Sequence, residues 1–211
     1  MGSKGFIKKW DDLESFFRAM NAEGGYIVMR NYEELFSDFE KGEHQDIDFL
    51  CIDRPAFIAA GGCAARFKER DLIHRVISVG GREIPVDVRT VGDGYYDADW
   101  EEEMIKNSRI AMDVIPVPSE EDYFYSLLYH ALIQKKKIAE DYKIRLKKMA
   151  DDLGGDRSTD TDTLLAFMKR KGYYFTYPEN PKGIFNTQGL PTEMIKPDKK
   201  RMFLRKLTAL F

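Results

Sequence analysis

Apolar and polar positions along this chain recur with two different periods, and the switch between them marks out its elements. Leu13, Phe16, Phe17 and Met20 recur at three- and four-residue spacing, which lines up one face of an α-helix. Asp11 or Asp12 offers an N-cap for that helix and Gly24-Gly25 a stop. Tyr26 to Met29 reads as a short strand, and Arg30 to Phe39 as a turn and a second helix. Lys41 to Gln45 is a polar connection into Asp46-Ile-Asp-Phe-Leu-Cys-Ile52, where alternation takes over. On a strand, Ile47, Phe49 and Cys51 share one face while Asp46 and Asp48 share the other. Arg54 to Arg70 carries conflicting signals, because Pro55 suits a helix start but Gly61-Gly62 interrupts the pattern. Ile73 to Val79 and Glu83 to Arg89 read as two strands joined at Gly80-Gly81, a pair that accepts the positive φ of a hairpin turn.

The pattern becomes helical after Trp100. Ser119 followed by Glu120, Glu121 and Asp122 resembles a capping box, and Tyr123, Phe124, Leu127, Leu128, Ala131 and Leu132 form an apolar stripe. Helices are also predicted from about Glu140 to Asp152 and from Thr161 to Lys171, the latter closed by Gly172. The aromatic stretch Tyr173 to Phe185 reads as extended, with packing against the helical layer preferred over base stacking. The basic tail, Lys199 to Arg201 with Arg205 and Lys206, is interleaved with Met202, Phe203, Leu207 and Leu210 and reads as an amphipathic closing helix. The fold class expected is α+β. A small mixed or antiparallel sheet of about four strands with packed helices would occupy residues 1–115, and a helical portion residues 116–211.

Composition narrows the function classes. Of 211 residues, 43% are apolar and 13% aromatic, which supports a packed core rather than a disordered chain. A formal net charge of −3 argues against a protein that grips nucleic acid through its phosphates. No apolar run approaches the ~20 residues of a membrane span, and no secretory leader is visible. Cys51 and Cys63 lack CxxC spacing, so reduced structural thiols in a cytoplasmic protein are expected. His44, His74 and His130 lack zinc spacing with each other or with cysteine.

The candidate chemistry lies in carboxylates that interrupt apolar strands. Asp46 and Asp48 repel each other and lose hydration unless a cation compensates them, and a divalent metal is the economical answer, the alternative being solvent-facing carboxylates on a half-exposed antiparallel sheet. Asp87 interrupts the strand Ile84 to Arg89 in the same manner. Arg89 falls on the face of Asp87, as an ion-pair partner or a triphosphate ligand. Arg30 is a phosphate ligand or a surface arginine. His130 is expected as a hydrogen-bonded core residue, Lys135-Lys-Lys137 as a helix-end charge run, and Asp93 as a turn former at the rim of the site or part of an acceptor pocket.

The order helix, strand, Asp-x-Asp strand, hairpin and third Asp strand resembles the nucleotidyltransferase superfamily with the DNA-polymerase-β type of fold. More narrowly, Met29 to Leu35, Asp46-Ile-Asp48, Ile84 to Arg89, Gly92-Asp-Gly-Tyr-Tyr-Asp97 with Trp100, and Leu128 to Leu132 resemble uncharacterised bacterial nucleotidyltransferase-like proteins. The resemblance implies two Mg²⁺ or Mn²⁺ ions held by Asp46, Asp48 and Asp87, and an NTP whose nucleotidyl group passes to an acceptor hydroxyl. It also implies that Asp87 serves the nucleophile-side ion and can assist deprotonation of the acceptor. A small-molecule or sugar-phosphate acceptor is expected from the same resemblance. One departure stands out: Arg30-Asn31 occupies the turn where the superfamily has a Gly-Ser or Gly-Gly pair. Arg30 and Asn31 would then contact the phosphates through side chains instead of backbone amides. The same departure admits an alternative, a non-catalytic module that keeps the fold and binds a nucleotide or partner.

Overall fold

The computed structural model describes residues 8–41, 46–67, 72–154, 157–177 and 184–197. Most of the Lys41 to Gln45 connection and the whole Lys199 to Leu210 tail lie outside the described residues. The fold is α+β, and the chain divides into two compact units, Met1–Val91 with Glu101–Ser119 and Gly92–Trp100 with Glu120–Phe211.

The first unit is built on a mixed sheet. In chain order its elements are β1 (Lys9–Trp10), α1 (Leu13–Glu23), β2 (Tyr26–Val28), α2 (Leu35–Lys41), β3 (Ile47–Cys51), α3 (Arg54–Gly61), β4 (Ala64–Ala65), β5 (His74–Val79) and β6 (Arg82–Thr90). The strands lie in the order β1-β5-β6-β3-β2. β3 and β6 run parallel, whereas β5 with β6 and β2 with β3 are antiparallel. β4 and β1 pair with successive parts of β5, Ala64 opposite Val76 and Lys9 opposite Ser78, so two short segments cover one exposed strand edge. After α4 (Ala98–Lys106), a small hairpin follows, β7 (Arg109–Ala111) and β8 (Ile115–Val117).

Helix α1 begins and ends where its local chemistry dictates. Asp12 accepts from the backbone N–H of Ser15 while Ser15 returns a contact to the Asp12 N–H, and Gly24 ends the helix at a φ of 71°. Its apolar face meets the inner face of the sheet, where Phe49 is the hub. The Phe49 ring lies 6.0 Å from Phe16, 6.3 Å from Phe17, 6.0 Å from Tyr26 and 4.9 Å from Phe57 of α3. Helix α3 resolves the conflicting signals of its segment: Asp53 caps it, Pro55 sits in its first turn, and Gly62 closes it in the left-handed region. Cys51 and Cys63 are both buried and free, and burial pushes the Cys63 thiol up to about 12, which keeps it protonated and inert.

The second unit is organised around α5 (Glu120–Ile133), with α6 (Glu140–Asp152) and α7 (Thr161–Lys171) beside it. The expected stripe on α5 is only part of its buried surface, since every residue from Asp122 to Ala131 is buried. Aromatic residues enclose it. Tyr125 stacks on Phe167 of α7 at 3.8 Å, Tyr129 stacks on Phe175, and the Trp100 indole N–H donates to Asp122. His130 is buried, with Nδ1 3.1 Å from the Tyr95 hydroxyl and 2.9 Å from the Gln134 amide oxygen, as a satisfied core histidine should be. Asp97 accepts from the backbone N–H groups of Asp99 and Tyr174 and pairs with Lys196. Among the described residues, no helix is long and apolar enough to cross a membrane.

Candidate functional site

Hairpin geometry and the parallel β3–β6 pairing decide where the carboxylates fall. The turn at Gly80 and Gly81 has φ of 55° and 76°, so the position six before Gly80 meets the position six after Gly81. His74 therefore lies opposite Asp87, and Asp87 in turn is the register partner of Asp48 on β3. Register partners point to the same face, so His74, Asp87 and Asp48 form a lateral row across three strands, on the face away from Phe49. Asp46 precedes β3 on the same face as Asp48.

The row is electrostatically loaded. Burial raises the Asp87 carboxyl above the ordinary carboxylate range, and the neighbouring charge of Asp48 pushes it further, with a smaller push from Asp46. His74 and Arg89 oppose that rise. One oxygen of Asp87, Oδ1, is buried and finds no hydrogen-bond partner among the described residues. A buried acceptor left in that state asks for a donor or a cation.

Two arginines occupy the other carboxylates. The backbone N–H of Met29 donates to the Asp48 carbonyl at 2.8 Å, which fixes how β2 leaves the sheet beside β3. From there Arg30 forks onto Asp48, Nε to Oδ2 at 2.9 Å and Nη2 to Oδ1 at 2.9 Å, with both side chains largely buried. Asn31 follows with a φ of 58°, the left-handed conformation that a glycine would otherwise supply and that asparagine tolerates best among other residues. Arg66, just past β4, pairs with Asp46 at 3.0 Å in a more exposed setting. Arg89 lies opposite Leu50 on the β3–β6 ladder, two residues beyond Asp87.

Of the residues singled out in the sequence, Asp48 and Asp87 are thus brought side by side, and Asp46, Arg30 and Arg89 lie around them. Arg30, read from the sequence as a phosphate ligand or a surface arginine, is buried and forks onto Asp48. Among the described residues, no three His, Cys, Asp or Glu side chains are grouped so as to hold a metal ion. The donor set suits a hard cation, since it is all carboxylate oxygen and includes an orphaned one. The Arg30 guanidinium already engages both oxygens of Asp48, however, so a cation there would have to displace it. Sequence reasoning missed His74 and Arg66. His74 could have been found by counting back from the glycine turn; Arg66 depends on β4, a two-residue strand with no alternation to reveal it. A cavity of about 210 Å³ lined by Met20, Gly25, Ile52, Asp53 and Phe57 lies at the far end of β3, and none of the row residues lines it. Asp93, at the turn after β6, accepts from the backbone N–H of Tyr95, which is a turn-forming contact. Compared with known proteins, the chain matches no family model, no curated protein and no solved structure.

Proposed function

We propose that this protein is a metal-dependent nucleotidyltransferase, on a sheet of the DNA-polymerase-β type, that moves an NMP group from an NTP to the hydroxyl of a small or sugar-phosphate acceptor. The observation that carries the reading is the pairing of Asp48 with Asp87 across adjacent parallel strands, with the Asp87 oxygen left unsatisfied. A buried carboxyl whose proton affinity is raised by burial and by an adjacent carboxylate, as at Asp87, is unfavourable for folding alone and common where a cation or proton is handled. Asp46, Asp48 and Asp87 would hold Mg²⁺ or Mn²⁺. When bound, such ions neutralise the triphosphate and favour ionisation of the attacking hydroxyl. In the reaction an acceptor oxygen forms a bond to the α-phosphorus as the bond to pyrophosphate breaks, with both reactants held in line by the site. Arg89, and Arg30 once released from Asp48, are the cations positioned to face phosphate oxygens.

A second reading has an observation of its own. Because Arg30 neutralises Asp48 without any metal, the unit also suits a non-catalytic module that binds a nucleotide or a partner. Incubation with each NTP and Mg²⁺ or Mn²⁺, across a panel of sugar phosphates and small alcohols, separates the two by pyrophosphate release. Turnover that disappears in Asp48→Asn and Asp87→Asn supports the enzyme. Saturable NTP binding with no pyrophosphate from any acceptor supports the module.

A further inference from the structure

Phe67 is among the most exposed large apolar side chains of the described chain, at 67% of its full accessible surface. It stands at the margin of the carboxylate row. Its ring meets the His74 imidazole edge-on, with centroids 5.8 Å apart and planes at 64°. The Arg66 guanidinium carbon lies 5.2 Å from the ring centre, while Arg66 itself pairs with Asp46. The backbone N–H of Arg66 donates to the His74 carbonyl at 3.2 Å, so this segment is tied to β5 just before the aromatic residue. A lone solvated phenylalanine needs no explanation, but one braced by a histidine and an arginine that both border the candidate site calls for one.

From these contacts we infer that Phe67 is the platform on which the base of a bound nucleotide stacks, with Arg66 and His74 holding the ring in place. The inference rests on the proposed nucleotide reading and names the substrate part that this edge of the site receives. Dimensions agree with it. From β5 through β6 and β3 to β2 there are three strand spacings, which at about 4.8 Å each make a row about 14 Å wide. That width is comparable to an extended nucleoside triphosphate. A base on Phe67, just outside β5 on the β4 side, would leave the phosphates over Asp87 and Asp48 and reaching toward Arg30 at the β2 edge. Aromatic stacking tolerates any base, because every base presents a π-face, and larger purines gain more. Phe67 is thus a specificity element of modest stringency, favouring ATP and GTP over CTP and UTP.

The test compares the full chain with Phe67→Ala and Phe67→Trp, each titrated with ATP, GTP, CTP, UTP and inorganic tripolyphosphate in the presence of Mn²⁺. Phe67→Ala should weaken nucleotide binding roughly 10- to 100-fold, more for purines, and leave tripolyphosphate binding unchanged. Phe67→Trp should keep wild-type affinity. Because the side chain is exposed, both variants should melt with the parent protein. Equal nucleotide affinity in Phe67→Ala, or equal losses for nucleotides and tripolyphosphate, overturns the platform while leaving the nucleotide site standing. Failure of the parent protein to bind either ligand removes the nucleotide reading and the platform with it.

Discussion

Replacing Arg30 by methionine removes the guanidinium while keeping most of the side-chain length, and its consequence can be worked from the geometry. The two hydrogen bonds to Asp48 are each 2.9 Å, and the Arg30 and Asp48 side chains are 9% and 13% exposed. An exposed pair would contribute about 0–1 kcal/mol. Breaking a buried pair instead leaves a charge without compensation, and the loss is about 3–5 kcal/mol. The low exposure places this pair in the second class, and the neighbouring Asp87 carboxyl adds repulsion to what Asp48 then suffers. A loss near the lower end, about 3 kcal/mol, corresponds to a fall of about 6–12 °C in the unfolding midpoint of a chain this long. The assay is thermal and urea unfolding at neutral pH with a chelator, then with increasing Mg²⁺ or Mn²⁺. If the carboxylates bind a cation, the metal should restore more stability to Arg30→Met than it adds to the parent, because the guanidinium no longer competes for Asp48. The double variant Arg30→Met with Asp48→Asn should be more stable than Arg30→Met alone, since no charge is then stranded. A loss under about 1 kcal/mol for Arg30→Met would refute the assignment of this pair as a buried, fold-supporting contact.

Two further outcomes are expected. The Asp87 carboxyl is raised by burial and by Asp48, so the folded chain holds that proton more tightly than the unfolded chain does. Its favourable contribution is complete below the ordinary carboxylate range and is lost as pH rises through the raised value. Asp87→Asn should therefore stabilise the protein at neutral pH, with an advantage that shrinks to nothing in acid; parallel stability–pH curves for the two proteins would contradict this. At Gly62, φ is 64° and an added Cβ would lie 2.3 Å from the Lys8 Cβ and 2.8 Å from the Lys8 backbone nitrogen. Gly62→Ala should lower the unfolding free energy by more than the roughly 1–2 kcal/mol of left-handed strain alone, and a variant as stable as the parent in urea would count against that close approach.

What the sequence reveals about this fold tracks how local the determining forces are. Helix α1 is readable because its cap, its apolar spacing and its terminal glycine all lie within a dozen residues, and α7 is readable for the same reason through Asp160 and Gly172. The β5–β6 hairpin is written in its glycine pair. Strands β1 and β4 are not readable, because two residues carry no alternation and become strands only where the open edge of β5 receives them. Helix α5 shows a stripe in sequence yet is buried all along its middle, since Tyr95, Tyr96 and Phe175, distant in the chain, cover its other sides. At the candidate site, the shared face of Asp46 and Asp48 follows from strand periodicity. The Arg30 fork does not, because it depends on where a flexible side chain lands after β2 is tied to β3 by the Met29 hydrogen bond.

The chain passes from one unit to the other three times, at Val91, Trp100 and Ser119, and this path bears on dissection. The segment from Gly92 to Trp100 spends its side chains on the second unit: Tyr95 on His130, Tyr96 on the Ser126 carbonyl, and Trp100 on Asp122. An N-terminal fragment ending near residue 119 would carry those three rings without their hosts and leave them open to solvent. Separate expression of the two halves is therefore a recipe for aggregation, and biochemical work on either one is best done with the uncut polypeptide.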